Sequence, residues 1–174
     1  APLRIYLRHT PATNPGQRVH QLALAAGTDP SVARFHKLMH LVREAVDYQI
    51  GVTTEHTSAE QALEQGRGVC QDHAHVFIAA ARELGVPARY VNGYFFADVE
   101  EPSEAHHAWA EVWADAIGWV GFDPANGICP TERYVRLAAG LDAASAAPIR
   151  GTRRGGTNEA LDVVVEVQQA SSQQ

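Results

Sequence analysis

A chain of 174 residues with 45% hydrophobic side chains fits one domain with a core of its own, and it is too apolar for disorder. Fourteen basic residues against twenty acidic ones leave a net charge of −6, which argues against nucleic acid or an anionic membrane as the main partner. Apolar windows such as Val76–Ala81 are far too short to span a bilayer, no signal-peptide pattern is present, and two cysteines are too few for a disulfide scaffold; a reducing cytoplasm is the expected compartment.

The chain reads as short elements without internal repeats. Leu3–Arg8 alternates apolar and charged residues and predicts a strand, and Thr10–Pro15, with two prolines, is a connector. Gln17–Ala26 predicts a short helix ended by Gly27. Asp29-Pro30-Ser31 opens a stronger one, in which Val32, Phe35, Leu38, Met39, Val42 and Val46 recur at helical spacing and bury one face. Thr57-Ser58 caps a helix through Gln65, and the glycines at 66 and 68 break it and turn the chain into Cys70. From Cys70 to Leu84 a helix follows, stopped by Gly85-Val86-Pro87. At about 100° per residue, Cys70, Ala74, Phe77, Ile78, Ala81 and Leu84 share one arc with His73 at its edge, while Gln71, His75, Arg82 and Glu83 point elsewhere.

Three strands come next. Arg89–Ala97 is aromatic and β-branched with a possible bulge at Gly93, His106–Trp113 alternates, and Trp119–Asp123 ends before Pro124. Their spacing suits antiparallel hairpins packed on the Cys70 helix. A last strand is expected over Ala160–Val167, then a loose tail.

Cys70 carries the chemistry. A thiol at a helix start meets unpaired backbone N–H groups and the positive end of the helix dipole, both of which favour thiolate. His107 near the start of one strand and Asp123 at the end of the next are brought opposite each other by an antiparallel hairpin. An imidazole beside a thiol takes its proton, and a carboxylate on the far ring nitrogen fixes the tautomer.

Other groups have plainer readings. His36 and His40 share a face with Arg43 and Asp47 and form a solvated stripe. Cys70, His73 and His75 mimic a ligand cluster, but His75 lies off the cysteine arc and no second cysteine pair exists, so no metal site is expected. Cys129 reads as an ordinary thiol, and Asp72 as a helix-dipole residue. Trp109, Trp113 and Trp119 read as sheet core, with Trp109 placed to line a cleft beside His107. The basic run Arg150–Arg154 reads as a loop.

The string GRGVCQDHAH, followed by HHAWAEVW and GWVGFDPANG, resembles the bacterial transglutaminase-like superfamily, in the branch described as cysteine proteases. RYVRLAAGLDAASAAPIRGTRRGG is similar to that family's region after the aspartate, so the resemblance runs from about Ser31 to Val167. It implies an α+β fold with a papain-like core, N-terminal helices, and the nucleophile helix packed against an antiparallel sheet. It implies Cys70 as nucleophile, His107 as general base and acid, and Asp123 as orienting carboxylate; His107 is taken over His106 because the family motif is His-Ala-Trp. His73 departs from the pattern, since relatives commonly carry an aromatic residue there; packing is the favoured reading over a second base.

Relatives often have an N-terminal β-rich domain. The expected division is therefore a segment over 1–15, the remnant of such a domain, a catalytic domain over 16–168 and a flexible tail over 169–174. The implied activity is acyl transfer through a cysteine thioester on peptide or isopeptide amides, with a protein or peptide substrate and neither metal nor organic cofactor. Hydrolysis is favoured. The alternatives are a protein-glutamine transamidase, another thiol acyltransferase such as an arylamine N-acetyltransferase, and a non-catalytic binding module.

Overall fold

The protein is described by a computed structural model covering residues 2–29, 31–96 and 106–148. The expected strand over Ala160–Val167, the Arg150–Arg154 run and the tail lie outside the described residues.

Among the described residues, four α-helices form where the capping and breaking residues predict them. α1 is Gln17–Ala26, closed by Gly27 at φ 90°. α2 is Ala33–Ala45, with Phe35, Leu38, Met39 and Val42 buried at helical spacing. α3 is Ala59–Gln65, where the Ser58 hydroxyl accepts the Gln61 N–H and the Gln61 side chain returns to the Ser58 N–H, a reciprocal capping box. α4 is Cys70–Glu83. Two-residue strands β1 (Asp47–Tyr48) and β2 (Arg67–Gly68) pair in parallel and tie the end of α2 to the approach to α4.

Strands β3 (Ala88–Phe95), β4 (His106–Ala114), β5 (Gly118–Phe122) and β6 (Tyr134–Gly140) make an antiparallel sheet in the order β5-β4-β3-β6. The register between β3 and β6 shifts at Asn92/Gly93, so the glycine does sit at an irregularity. Ala88, Tyr90, Ala110, Val112 and Phe122 pair across the strands and, with Ala108, face the core, where the three alanines let α4 lie close against the sheet. The fold is α+β, as expected.

Two expectations change. Leu3–Arg8 is not a strand: Leu3–Leu7 is a 3-10 helix, and its Tyr6 ring meets Trp119 edge-on at 5.1 Å. Tertiary contact here overrides an alternating pattern that is too short to specify its own pairing. α4 is also not one-faced, because Asp72 through Arg82 are all buried, those off the cysteine arc included. Arg82 replaces water with protein acceptors, donating to Tyr6 O, Ala88 O and Leu141 O and to the Thr13 hydroxyl; burial lowers its pKa to about 10.

His75 is the other buried polar group on that side, with Nε2 accepting the Ala143 N–H at 3.1 Å. Burial lowers its pKa to about 4. An unfolded histidine takes up a proton near pH 6.5, whereas this one stays neutral down to about 4. Its contribution is therefore complete above about pH 6.5 and is lost as the pH falls toward 4, by up to about 3 kcal/mol. Urea melts at pH 7 and pH 4.5 are expected to lose much of their difference in His75→Gln; an unchanged difference would reject this source.

Candidate active site

The approach to Cys70 is built by a glycine break and a carboxylate. α3 ends at Gly66, left-handed at φ 67°, and the chain passes through Arg67–Gly68 to enter α4 at Cys70. Asp72 is buried, and its Oδ2 accepts the Val69 N–H at 2.8 Å and the Thr53 hydroxyl at 2.7 Å. A Cβ on Gly68 would stand 2.6 Å from that same oxygen. Asp72 is thus more than a dipole residue: it fixes the turn that delivers the thiol. His73 is buried with Nδ1 and Nε2 each 2.8 Å from a carbonyl, those of Val69 and Val46. Both ring nitrogens are turned to backbone carbonyls, so the packing role holds.

His107 lies at the start of β4, opposite Gly93, and Asp123 directly follows β5. The Asp123-Pro-Ala-Asn-Gly-Ile segment closes on itself through Asp123 N–H to Ile128 O and Gly127 N–H to Asp123 O. Its Oδ1 accepts the Ala125 and Asn126 N–H groups, as an aspartate opening a turn does. Oδ2 accepts His107 Nε2 at 2.6 Å, Asn126 Nδ2 at 2.7 Å and the Tyr134 hydroxyl at 2.7 Å.

The Cys70 thiol lies close enough to His107 to help raise its pKa, and with Nε2 engaged by Asp123 the nitrogen left for sulfur is Nδ1. Burial works against charge on His107, but the bond to Asp123 and the neighbouring Cys70 sulfur overcome it and raise its pKa to about 9. Burial likewise pushes Asp123 upward, and its bonds to His107, Tyr134 and Asn126 bring it below the usual carboxylate range. His106 is exposed, its ring against Tyr94. All three side chains selected from the sequence come together, and His107 is the one of the pair that does so.

A family model described as the transglutaminase-like superfamily matches residues 20–124 of this sequence, and the matched span holds Cys70, His107 and Asp123. The chain belongs to the transglutaminase-like superfamily.

An uncharacterised protein of Mycobacterium leprae is 41% identical over 130 residues, which is 72% of this chain and 46% of that protein. The chain thus spans less than half the length of this relative. A solved structure of a candidate cysteine protease from Cytophaga hutchinsonii has 30% identity and a TM-score of 0.68, covering 83% of this chain and 49% of that one. A protein-glutamine gamma-glutamyltransferase of Pseudomonas aeruginosa is 31% identical over 86 residues, 45% of this chain and 12% of that protein.

Within this transglutaminase-like domain the sequence reading missed Tyr134 and Asn126. Asn126 had a signal, the Asp-Pro-Ala-Asn-Gly turn; Tyr134 had none, because it opens a strand that the pattern did not reveal. Cys129 is half-buried, with its pKa raised by burial. Trp109 is buried, with its ring 6.4 Å from that of His107, and lies over Gly93, where a Cβ would meet it at 2.7 Å. His36 and His40 are exposed. Among the described residues, no group of three or more His, Cys, Asp or Glu is placed to hold a metal ion, and no helix is long and apolar enough to cross a membrane.

Tyr134→Phe removes one donor from Asp123 and leaves a more basic carboxylate facing His107. The imidazolium then gains stability, so an NMR titration should place His107 above its native value of about 9. A hydrogen bond to a charged group is worth ~1.5–3 kcal/mol, so a rise of about one pH unit is expected. A fall, or no change, would show that the hydroxyl does not tune this carboxylate.

Proposed function

We propose that the protein is a thiol acyl-transfer enzyme acting on peptide or isopeptide amides, with Cys70 as nucleophile, His107 as base and acid and Asp123 as orienting group. The observation that carries this is His107 held between Asp123 and Cys70, with its charged form favoured up to about pH 9.

Sulfur attacks the amide carbonyl carbon as the thiolate partner of the His107 imidazolium, whose Nδ1 holds the proton. The Cys70 backbone N–H, in the first turn of α4 and without an intrahelical acceptor, is placed to donate to the oxyanion. The C–N bond breaks as His107 returns the proton to the leaving amine, which leaves a thioester. Water then gives a proton to His107 as it adds to the thioester carbonyl, and the thiolate leaves as the acid product is released, restoring the pair with the His107 imidazolium. Asp123 keeps Nδ1 turned to sulfur and steadies the imidazolium. These steps need no metal or organic cofactor.

Hydrolysis is the favoured outcome, in line with the similarity to the Cytophaga hutchinsonii protein. An amine in place of water would make a transamidase, a reading favoured by the similarity to the Pseudomonas aeruginosa glutamyltransferase. Incubation of casein with and without monodansylcadaverine, read by mass spectrometry, separates the two. Cleaved or deamidated peptides without dansyl label support a hydrolase, and dansyl incorporation supports the transamidase. If neither product forms over a panel of unfolded proteins and Cys70 carries no acyl adduct, the catalytic reading fails and a binding module replaces it.

A further inference from the structure

A cavity of about 410 Å³ lies on the sheet face that carries Glu111, opposite the face covered by α4. Trp109, Trp119 and Tyr134 supply aromatic walls, Pro130 borders it from the loop after Asp123, and Glu111 and Arg136 are its charged members. The proposed mechanism uses none of this space. Two of its walls nevertheless touch the reacting groups: the Trp109 ring lies 6.4 Å from that of His107, and the Tyr134 hydroxyl bonds Asp123.

The charges are unequal. Glu111 is buried, and its Oε2 takes both Nε of Arg89 at 2.6 Å and Nη2 at 2.5 Å. Arg89 is itself covered, with its guanidinium stacked 4.0 Å over the Trp119 ring, so it neutralises Glu111 and is spent. Arg136 reaches the remaining oxygen only at 3.4 Å, and its side chain is 49% exposed. Two guanidinium groups therefore share one carboxylate, and Arg136 retains N–H donors at the edge of an aromatic cavity. Asp123 stands behind Tyr134 and is paired with His107. A cationic ligand would meet Arg136 and find Glu111 already occupied. An anionic group on an apolar body finds aromatic walls and an unspent guanidinium, the partner best suited to bidentate carboxylate binding.

We propose that this cavity binds an apolar carboxylate, specifically the C-terminal residue of a peptide bearing an aromatic or large aliphatic side chain. The site needs no turnover, so it is tested by binding alone, in the Cys70→Ala protein, where failure of the catalytic reading cannot affect the result. The probes are N-acetylphenylalanine, its primary amide, and N-acetylglutamic acid α-amide. The readout is the indole N–H signals of Trp109 and Trp119, with Trp113, which does not line the cavity, as internal reference.

Saturable shifts of Trp109 and Trp119 are expected with N-acetylphenylalanine, and binding of its amide at least roughly 10-fold weaker, as loss of one charge-assisted contact implies. Arg136→Gln should erase that difference, and Arg136→Lys should restore part of it. Equal binding of acid and amide, retention of the preference in Arg136→Gln, or shifts confined to Trp113 would each overturn the proposal. Tighter binding of the glutamate probe would overturn the C-terminal assignment in favour of an acidic side chain.

Discussion

Cys70→Ala is expected to reduce turnover by roughly 10⁴-fold or more while leaving the fold in place, because loss of a covalent nucleophile removes the thioester route altogether. The fold should survive for a local reason. Cys70 is the first residue of α4 and only half-buried, whereas the helix is held by Ala74, Phe77, Ile78 and Ala81 inside the core and by Arg82 at its far end. Alanine is well tolerated there, and the Asp72 cap on Val69 does not involve the thiol. The measurement is product formation on whichever casein peptide the wild-type enzyme converts, alongside circular dichroism and a thermal melt. Near-native activity with a native melt would remove Cys70 from the mechanism, and Cys129, whose burial disfavours its thiolate, is a poor replacement.

The parts of this fold legible in the sequence are those with local causes. Gly27, Ser58, Gly66 and Gly85 punctuate the helices, and each does its work within a few residues of itself. The β4–β5 hairpin was legible because alternation and a short turn fix its register, and that register brings His107 and Asp123 to one end of the sheet. What was not legible depends on partners far along the chain. Among the described residues β6 is an edge strand whose Val135 and Leu137 are exposed and whose remaining residues are mostly small, so it shows no clean inside-outside pattern. Tyr134 was missed with it. The burial of His75 and Arg82 escaped a helical-wheel reading because the covering groups come from Tyr6, Thr13 and the 141–143 turn, which no periodicity in α4 announces.

This division has a consequence for the site. Cys70, His107 and Asp123 are each specified by a local motif, but the carboxylate's environment is assembled non-locally. Of the donors on Asp123, only those of the Ala125–Asn126 turn are encoded next to it; Tyr134 arrives through strand pairing with β3. Tuning of the site can thus change with β6 while the three motifs stay the same.

His107→Ala is the second large effect, and its pH dependence distinguishes a reacting histidine from a structural one. In the proposed mechanism His107, with its pKa raised to about 9, carries the proton for the leaving amine at neutral pH and loses it as the pH rises through about 9. Wild-type turnover should therefore fall on an alkaline limb near pH 9. His107→Ala should lower the rate by roughly 10²–10⁴-fold and abolish that limb, since no proton donor remains to be titrated. Asp123→Asn keeps the imidazole but removes the charge and the 2.6 Å bond that hold its proton. The limb should then move to lower pH, with a loss of up to roughly 10⁴-fold as the ring samples the wrong tautomer. His106→Ala, at an exposed position outside this network, should leave both rate and limb intact. An alkaline limb that stays near pH 9 in Asp123→Asn would dissociate the carboxylate from the histidine's proton, and a larger loss at His106 than at His107 would reassign the base.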